Sequence, residues 1–183
     1  MKLKKVKLIA IPALITLLAG CSTAQMPTDK MPFGGKNSIA YSQQLWDSLS
    51  AARLAGPNAK PDGVYKGTHP HGAMLETLYS NVTVNGHKGE VVVKRNYGGK
   101  DISAADVTAD RAKYLKAVTV MFKREAGYDK DNQNWYWAKF KPDGSLHTNP
   151  KGMMLAGRVA KGKPVGCIAC HKAAPGGDYL FTR

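Results

Sequence analysis

Apolar residues recur along the chain in three rhythms, and each predicts a different kind of element. Leu8 to Ala19 is apolar throughout except for Thr16, a run too short to cross a bilayer comfortably. After Ser38, Leu45, Trp46, Leu49 and Leu54 return at near-helical spacing, which predicts a helix capped by Ser38 and stopped at Gly56-Pro57. Further on, β-branched and aromatic residues gather at 74–84, 90–96, 117–124 and 134–141, with turn formers between them and Pro142-Asp143-Gly144 closing the last. These segments predict antiparallel strands. Ser103 and Asp106 have the spacing of a capping box that opens a short helix through about Leu115. The expected fold class is α+β, an antiparallel sheet with a few short helices. No internal repeat is visible, and no linker after residue 40.

Within 135–140 the alternation puts Trp135 and Trp137 on one face and Tyr136 and Phe140 on the other. Large aromatics on both faces imply a strand covered on both sides. They serve either as sheet core or, on one face, as the lining of a flat cofactor.

Four lysines (Lys2, Lys4, Lys5, Lys7) precede the apolar run, giving the charged and greasy parts of a secretion signal. The run ends Leu18-Ala19-Gly20-Cys21, which resembles the lipobox of bacterial lipoproteins, in which the chain is cut before the cysteine and the cysteine is lipidated. The alternative is an ordinary signal peptide with Cys21 incidental. Ser22 in the second position looks like an outer-membrane destination, on the periplasmic side. The expected organisation is a signal at 1–20, a Pro- and Gly-broken tether at 21–38 without secondary structure, and one domain at 39–183.

The full chain has 183 residues and a formal charge of +14; without the four signal lysines it keeps 23 basic against 13 acidic side chains, or +10. That balance would suggest nucleic acid in a cytosolic protein, but no basic stripe interleaved with aromatics stands out, and an exported chain rarely meets nucleic acid. A solvated basic face near anionic lipid or an acidic redox partner is the more economical explanation.

Three cysteines cannot all pair within one chain, so each needs its own explanation. Cys167-Ile168-Ala169-Cys170-His171 is a c-type haem attachment signature. Two thiols on one turn can add to the two vinyl groups of a haem, while the adjacent histidine coordinates iron from below. A thioredoxin-like redox pair does not need the trailing histidine, and half of a zinc site would need two further ligands. Export favours covalent haem, one per chain. Only twelve residues follow His171, so a sixth ligand would have to come from the chain before residue 167. Met153 and Met154 are candidates, but they read more readily as core or loop hydrophobes. An open sixth position is the expectation, and such an iron binds small molecules.

The motif near the C-terminus, Asp178-Tyr179-Leu180-Phe181-Thr182 after it, Trp135-Tyr136-Trp137 with Asp143-Gly144 behind, His71-Gly72 before an early strand and Val91-Val92-Val93-Lys94 ending the next together resemble the cytochrome P-460 family. The resemblance implies sheet-rich homodimers. Some members oxidise hydroxylamine, and the cytochrome c′-beta relatives bind nitric oxide and carbon monoxide at a five-coordinate iron. It assigns Cys167 and Cys170 to thioether bonds and His171 to the proximal ligand. It also points to Lys94 as a residue that in the oxidising members is joined to the haem edge; the plainer role is a lysine terminating an edge strand. Those members use an acidic side chain to move protons, yet no Asp or Glu occurs from Gly144 to Gly166. Glu76, His69 and His71 are the possible substitutes. Three functions stay open: oxidation of hydroxylamine or a related nitrogen compound with electrons passed to another exported cytochrome, nitric oxide or carbon monoxide binding without turnover, and plain electron transfer with a methionine or histidine as sixth ligand.

Overall fold

The computed structural model describes residues 31–181; the expected signal, Cys21 and most of the expected tether lie outside the described residues. Six antiparallel strands lie side by side in chain order: β1 (Tyr65–Lys66), β2 (Met74–Val84), β3 (His87–Tyr97), β4 (Leu115–Lys123), β5 (Trp135–Phe140) and β6 (Ala156–Gly157). Helix α1 (Lys36–Ala51) covers one face, α2 (Ala104–Ala109) and α3 (Arg111–Tyr114) connect β3 to β4, and α4 (Cys167–Lys172) carries the cysteine motif. The architecture is α+β, as the sequence patterns imply. Asn85 and Gly86 turn β2 into β3 with φ of 51° and 79°, the left-handed pair that matches the twist of a tight hairpin.

Several boundaries differ from expectation for local reasons. Helix α1 starts at Lys36 with Gly35 as its cap, and no side chain caps it. Ser38 is inside the first turn, where its carbonyl accepts a 2.6 Å hydrogen bond from the Tyr136 hydroxyl. Ordered structure also reaches back beyond the expected tether boundary. Phe33 bridges to Gly157 and is buried, and the Gly34 amide donates to Ala156 O at 2.8 Å. The capping box at Ser103 and Asp106 forms, but the helix it opens breaks at Asp110, which caps α3 in turn. Strand β3 begins at His87, three residues early, because the two-residue turn fixes its register from the first pair, Val84 with His87.

Alternation along the strands sorts the interior into two clusters. On the α1 face, Tyr41, Leu45, Trp46 and Leu49 pack on Val82, Val91, Val93, Val118, Val120, Phe122, Tyr136 and Phe140. On the other face, Val92, Met121, Trp135 and Trp137 pack against Phe33, Val159, Ile168, Tyr179 and Leu180. The aromatics of β5 thus divide as their alternation requires.

Glu76 belongs to the α1 side of this division. It pairs in register with Arg95 on β3 and is fully buried. Its carboxylate takes Arg95 Nη1 at 2.7 Å, Arg111 Nε at 2.8 Å and the Tyr97 hydroxyl at 2.6 Å. Burial alone would raise its pKa; the Tyr97, Arg111, Asp62 amide and Arg95 contacts outweigh that and hold it below the usual range. Arg95 also donates to the Lys60 carbonyl, so this cluster ties the 52–64 loop and α3 to the sheet.

Two predictions come from this frame. Glu76→Gln leaves the Arg95 guanidinium buried without its counter-charge and should cost about 3–5 kcal/mol in urea unfolding at neutral pH. Because the folded pKa is depressed, the carboxylate's contribution is present above roughly pH 4.3 and is lost as pH falls through the lower folded value; the gap between wild type and variant should narrow there. Gly72 and Gly86 both have positive φ, but a Cβ at Gly72 would lie 2.7 Å from Tyr97 O while one at Gly86 would meet nothing within 4 Å. Gly72→Ala should therefore lower the thermal midpoint more than Gly86→Ala, which pays only the left-handed strain of about 1 kcal/mol.

Candidate functional site

Helix α4 is a single turn and a half entered through Gly166 at φ 131°, where a Cβ would collide with that of Ala160. On this turn Ile168 and His171 face inward and are buried, while Cys170 is exposed and Cys167 half-buried. The two cysteines form no disulfide, and burial raises the Cys167 thiol pKa. The i, i+3 spacing on one turn puts both sulfurs on the same flank, as a two-point attachment requires.

The segment after the motif holds His171 in place. Its Nδ1 is 2.7 Å from the Tyr179 carbonyl, so Nδ1 carries the proton and Nε2 is the nitrogen left to bind a metal. Tyr179 has a left-handed backbone (φ 68°), and its hydroxyl donates to Asn132 Oδ1 at 3.2 Å. Gln133 Nε2 donates to Gly177 O at 2.5 Å. The imidazole stands edge-on to Trp137, 5.0 Å between centroids, and to Phe181, 5.4 Å.

Lys94 is on the same sheet face as this imidazole. Register places it between Thr77 of β2 and Thr119 of β4, two residues on from Val92 of the second cluster. It is half-buried, and burial lowers its pKa. His71, at the end of the loop between β1 and β2, reaches the same place: its ring is 5.9 Å from that of His171, at 89°. Burial first, then the Lys94 charge and His171, pull the His71 pKa down to about 4. His171 is lowered by burial, against the opposing Tyr179 carbonyl, with Lys94 adding to the lowering.

Of the sequence candidates, Cys167, Cys170, His171, Lys94 and His71 converge. The others do not. Glu76 faces the opposite side of the sheet within its arginine cluster, which corrects the expectation that it could serve this site; its position two residues from Leu78 and on the parity of Val82 and Val84 forbids it. His69 and Met154 are exposed. Met153 packs against the second cluster beside Leu155 and Ala160. Sequence reasoning missed Asn96 and Thr119, which line the Lys94 face: Asn96 Nδ2 lies 3.2 Å from Thr119 Oγ1, and Thr119 Oγ1 is 3.5 Å from His71 Nδ1. Their signal was the strand parity shared with Lys94.

The residues present fit a haem. Two sulfurs and a metal-ready imidazole border an apolar, aromatic sheet face, and the buried indole N–H of Trp137 has no protein acceptor. Among the described residues no group of three or more His, Cys, Asp or Glu could hold a metal ion. Comparison with curated proteins and with solved structures gives no match. The family model described as Cytochrome P460 matches residues 62–182, from the loop before β1 through the cysteine motif and the tail that holds His171, and the chain belongs to that family of haem-binding cytochromes.

Proposed function

We propose that this protein is an exported c-type cytochrome with one haem, joined through Cys167 and Cys170 and ligated by His171, whose iron binds small nitrogen compounds such as nitric oxide or hydroxylamine and exchanges electrons with another exported cytochrome. The observation that carries this is the His171 ring, fixed by Tyr179 so that its free nitrogen serves the apolar face where Lys94 and His71 also lie. In the same proposal Cys21 carries lipid at the periplasmic face of an outer membrane, and two chains form a homodimer.

The haem would supply a coordination position and one-electron chemistry. The chain's own residues do the rest. Tyr179 O holds the proton on His171 Nδ1 and keeps Nε2 basic. Val92, Met121 and Trp137 keep water from the sheet side. The groups acting on Lys94, His71 and His171 include no carboxylate, which supports ligand binding over a reaction that sheds several protons. A second function, oxidation of hydroxylamine, is favoured by Lys94 itself: a half-buried amine shifted toward its neutral form is the nucleophile a bond to the haem edge needs.

Replacing both Cys167 and Cys170 with Ser should remove haem from the denatured chain, read by haem staining of a denaturing gel; retention would sink covalent attachment. The ferrous holoprotein should change its absorption spectrum with nitric oxide. A haem peptide mass that includes the Lys94 segment would select the oxidising function, and a peptide without it the binding one.

A further inference from the structure

We propose that the face around α4 docks an acidic redox protein, and that electrons enter or leave the site through it. This rests on Cys167–His171 being the haem c site. From 144 to 177 the chain has Lys151, Arg158, Lys161, Lys163 and Lys172 and not one Asp or Glu. The excess of positive charge is thus concentrated in the segment that carries the cysteines.

Two of these cations stand ready for an outside partner. Lys161 is paired with Asp129 and Asp131, at 2.5 and 3.3 Å. Lys163 and Lys172 are exposed, and among the described residues neither ammonium has a carboxylate within ion-pair distance. Lys163 precedes α4 and Lys172 ends it. A helix of six residues is about 9 Å long, so both charges belong to one small face, with Cys170, the exposed one of the two attachment sulfurs, between them in the chain.

The same face has an apolar centre. Val165 and Phe181, 76% and 53% exposed, are the two most exposed large apolar side chains among the described residues. Phe181 stands edge-on to His171 with 5.4 Å between ring centroids, so a surface residue packs on the proximal ligand itself. Val165 is two residues before Cys167. A partner that covers both removes them from water, while Lys163 and Lys172 at the rim supply attraction and orientation. Two apolar residues make a small centre, which suits an encounter that ends after one electron has passed; redox complexes are at the low end of interface size.

The charge pattern selects the occupant. A second copy of this chain using the same face would set Lys163 and Lys172 against their own equivalents. An anionic lipid surface would satisfy the lysines but has no redox centre to place opposite Cys170. A protein with carboxylates around its own redox centre meets both needs. In the exchange one electron passes from the partner's reduced centre to ferric iron, and no bond forms or breaks.

The ferric holoprotein, mixed by stopped flow with reduced flavodoxin as an acidic one-electron probe, tests this. The second-order rate should fall as salt is added. Lys163→Glu with Lys172→Glu should lower it about tenfold or more at low salt. Lys66→Glu with Lys100→Glu makes the same change of net charge on exposed lysines of β1 and of the β3–α2 connection, and should lower it less than about threefold. Lys163→Gln with Lys172→Gln should act in the same direction by a smaller factor, which keeps the test decisive where the reversal disturbs maturation. Equal slowing by the two Glu pairs reports net charge alone and overturns the proposal. An unchanged rate in the α4 pair also overturns it, and if that pair loses binding to phosphatidylglycerol vesicles at the same time, the face belongs to a lipid surface instead. A chain without haem staining overturns the parent assignment, which tells the two failures apart.

Discussion

The pleat of a six-stranded meander governs this molecule, because each side chain's face is decided by whether its position along the strand is odd or even. On β3, Val91, Val93 and Arg95 go to the α1 side and Val92, Lys94 and Asn96 to the α4 side. A slip of one residue would put Arg95 where Lys94 stands and expel Val91 and Val93 from the core. Register is held at both ends, by the Asn85-Gly86 turn and by the Glu76–Arg95 pair, which joins opposite residues of β2 and β3. The ion cluster thus keeps one acid and one base off the α4 side while fixing which residues reach it.

The two faces differ in electrical character as a result. The α1 side contains a satisfied carboxylate among cations. The α4 side gathers the Lys94 and Lys139 amines and two imidazoles; burial favours the neutral forms of Lys94, His71 and His171, and cationic neighbours with no carboxylate among them push the two imidazoles further the same way. Neutral nitrogen is the form that binds a metal or attacks an electrophile. A carboxylate on this face would pull in the other direction, stabilising the protonated amine and imidazoles.

Much of this was legible in the sequence because the long elements have strong periods. Strands β2 to β5, the helix over Leu45 to Leu49, the division of Trp135 and Trp137 from Tyr136 and Phe140, and the cysteine motif all follow from local pattern. What failed was tertiary. Ser38 is a good capping residue, but the helix starts at Gly35 because Phe33 is pulled onto β6 and the chain must turn there. Strands β1 and β6 have two residues each, too few for any alternation. Glu76 is acidic and on the right strand, so only its parity and its partner Arg95, 19 residues on, reveal that it faces away. His71 is in a loop with no period at all; its meaning comes from Tyr97 and Thr119, distant strand residues that the fold brings beneath it.

The residues after the motif are where local sequence and site chemistry meet most directly. Six-residue helices such as α4 are marginal in isolation, since forming a first turn costs more than its few hydrogen bonds return. The tail compensates by folding back: Leu180 and Tyr179 bury beside Ile168 and Trp137, and the Tyr179 hydroxyl and the Gly177 carbonyl reach the 3-10 turn at Lys130–Asn132 and the residue after it. That turn is itself held by Lys161, whose ammonium is 2.5 Å from Asp129. The left-handed backbone at Tyr179 is an unfavourable conformation for a bulky residue, of order 1 kcal/mol or more. It lets one residue aim its carbonyl at His171 while its ring stays in the core. The orientation of the His171 ring is therefore set by a strut that runs from Lys161 through Asp129, the 3-10 turn and Tyr179, and the short C-terminal tail is as much a part of the candidate site as the cysteines.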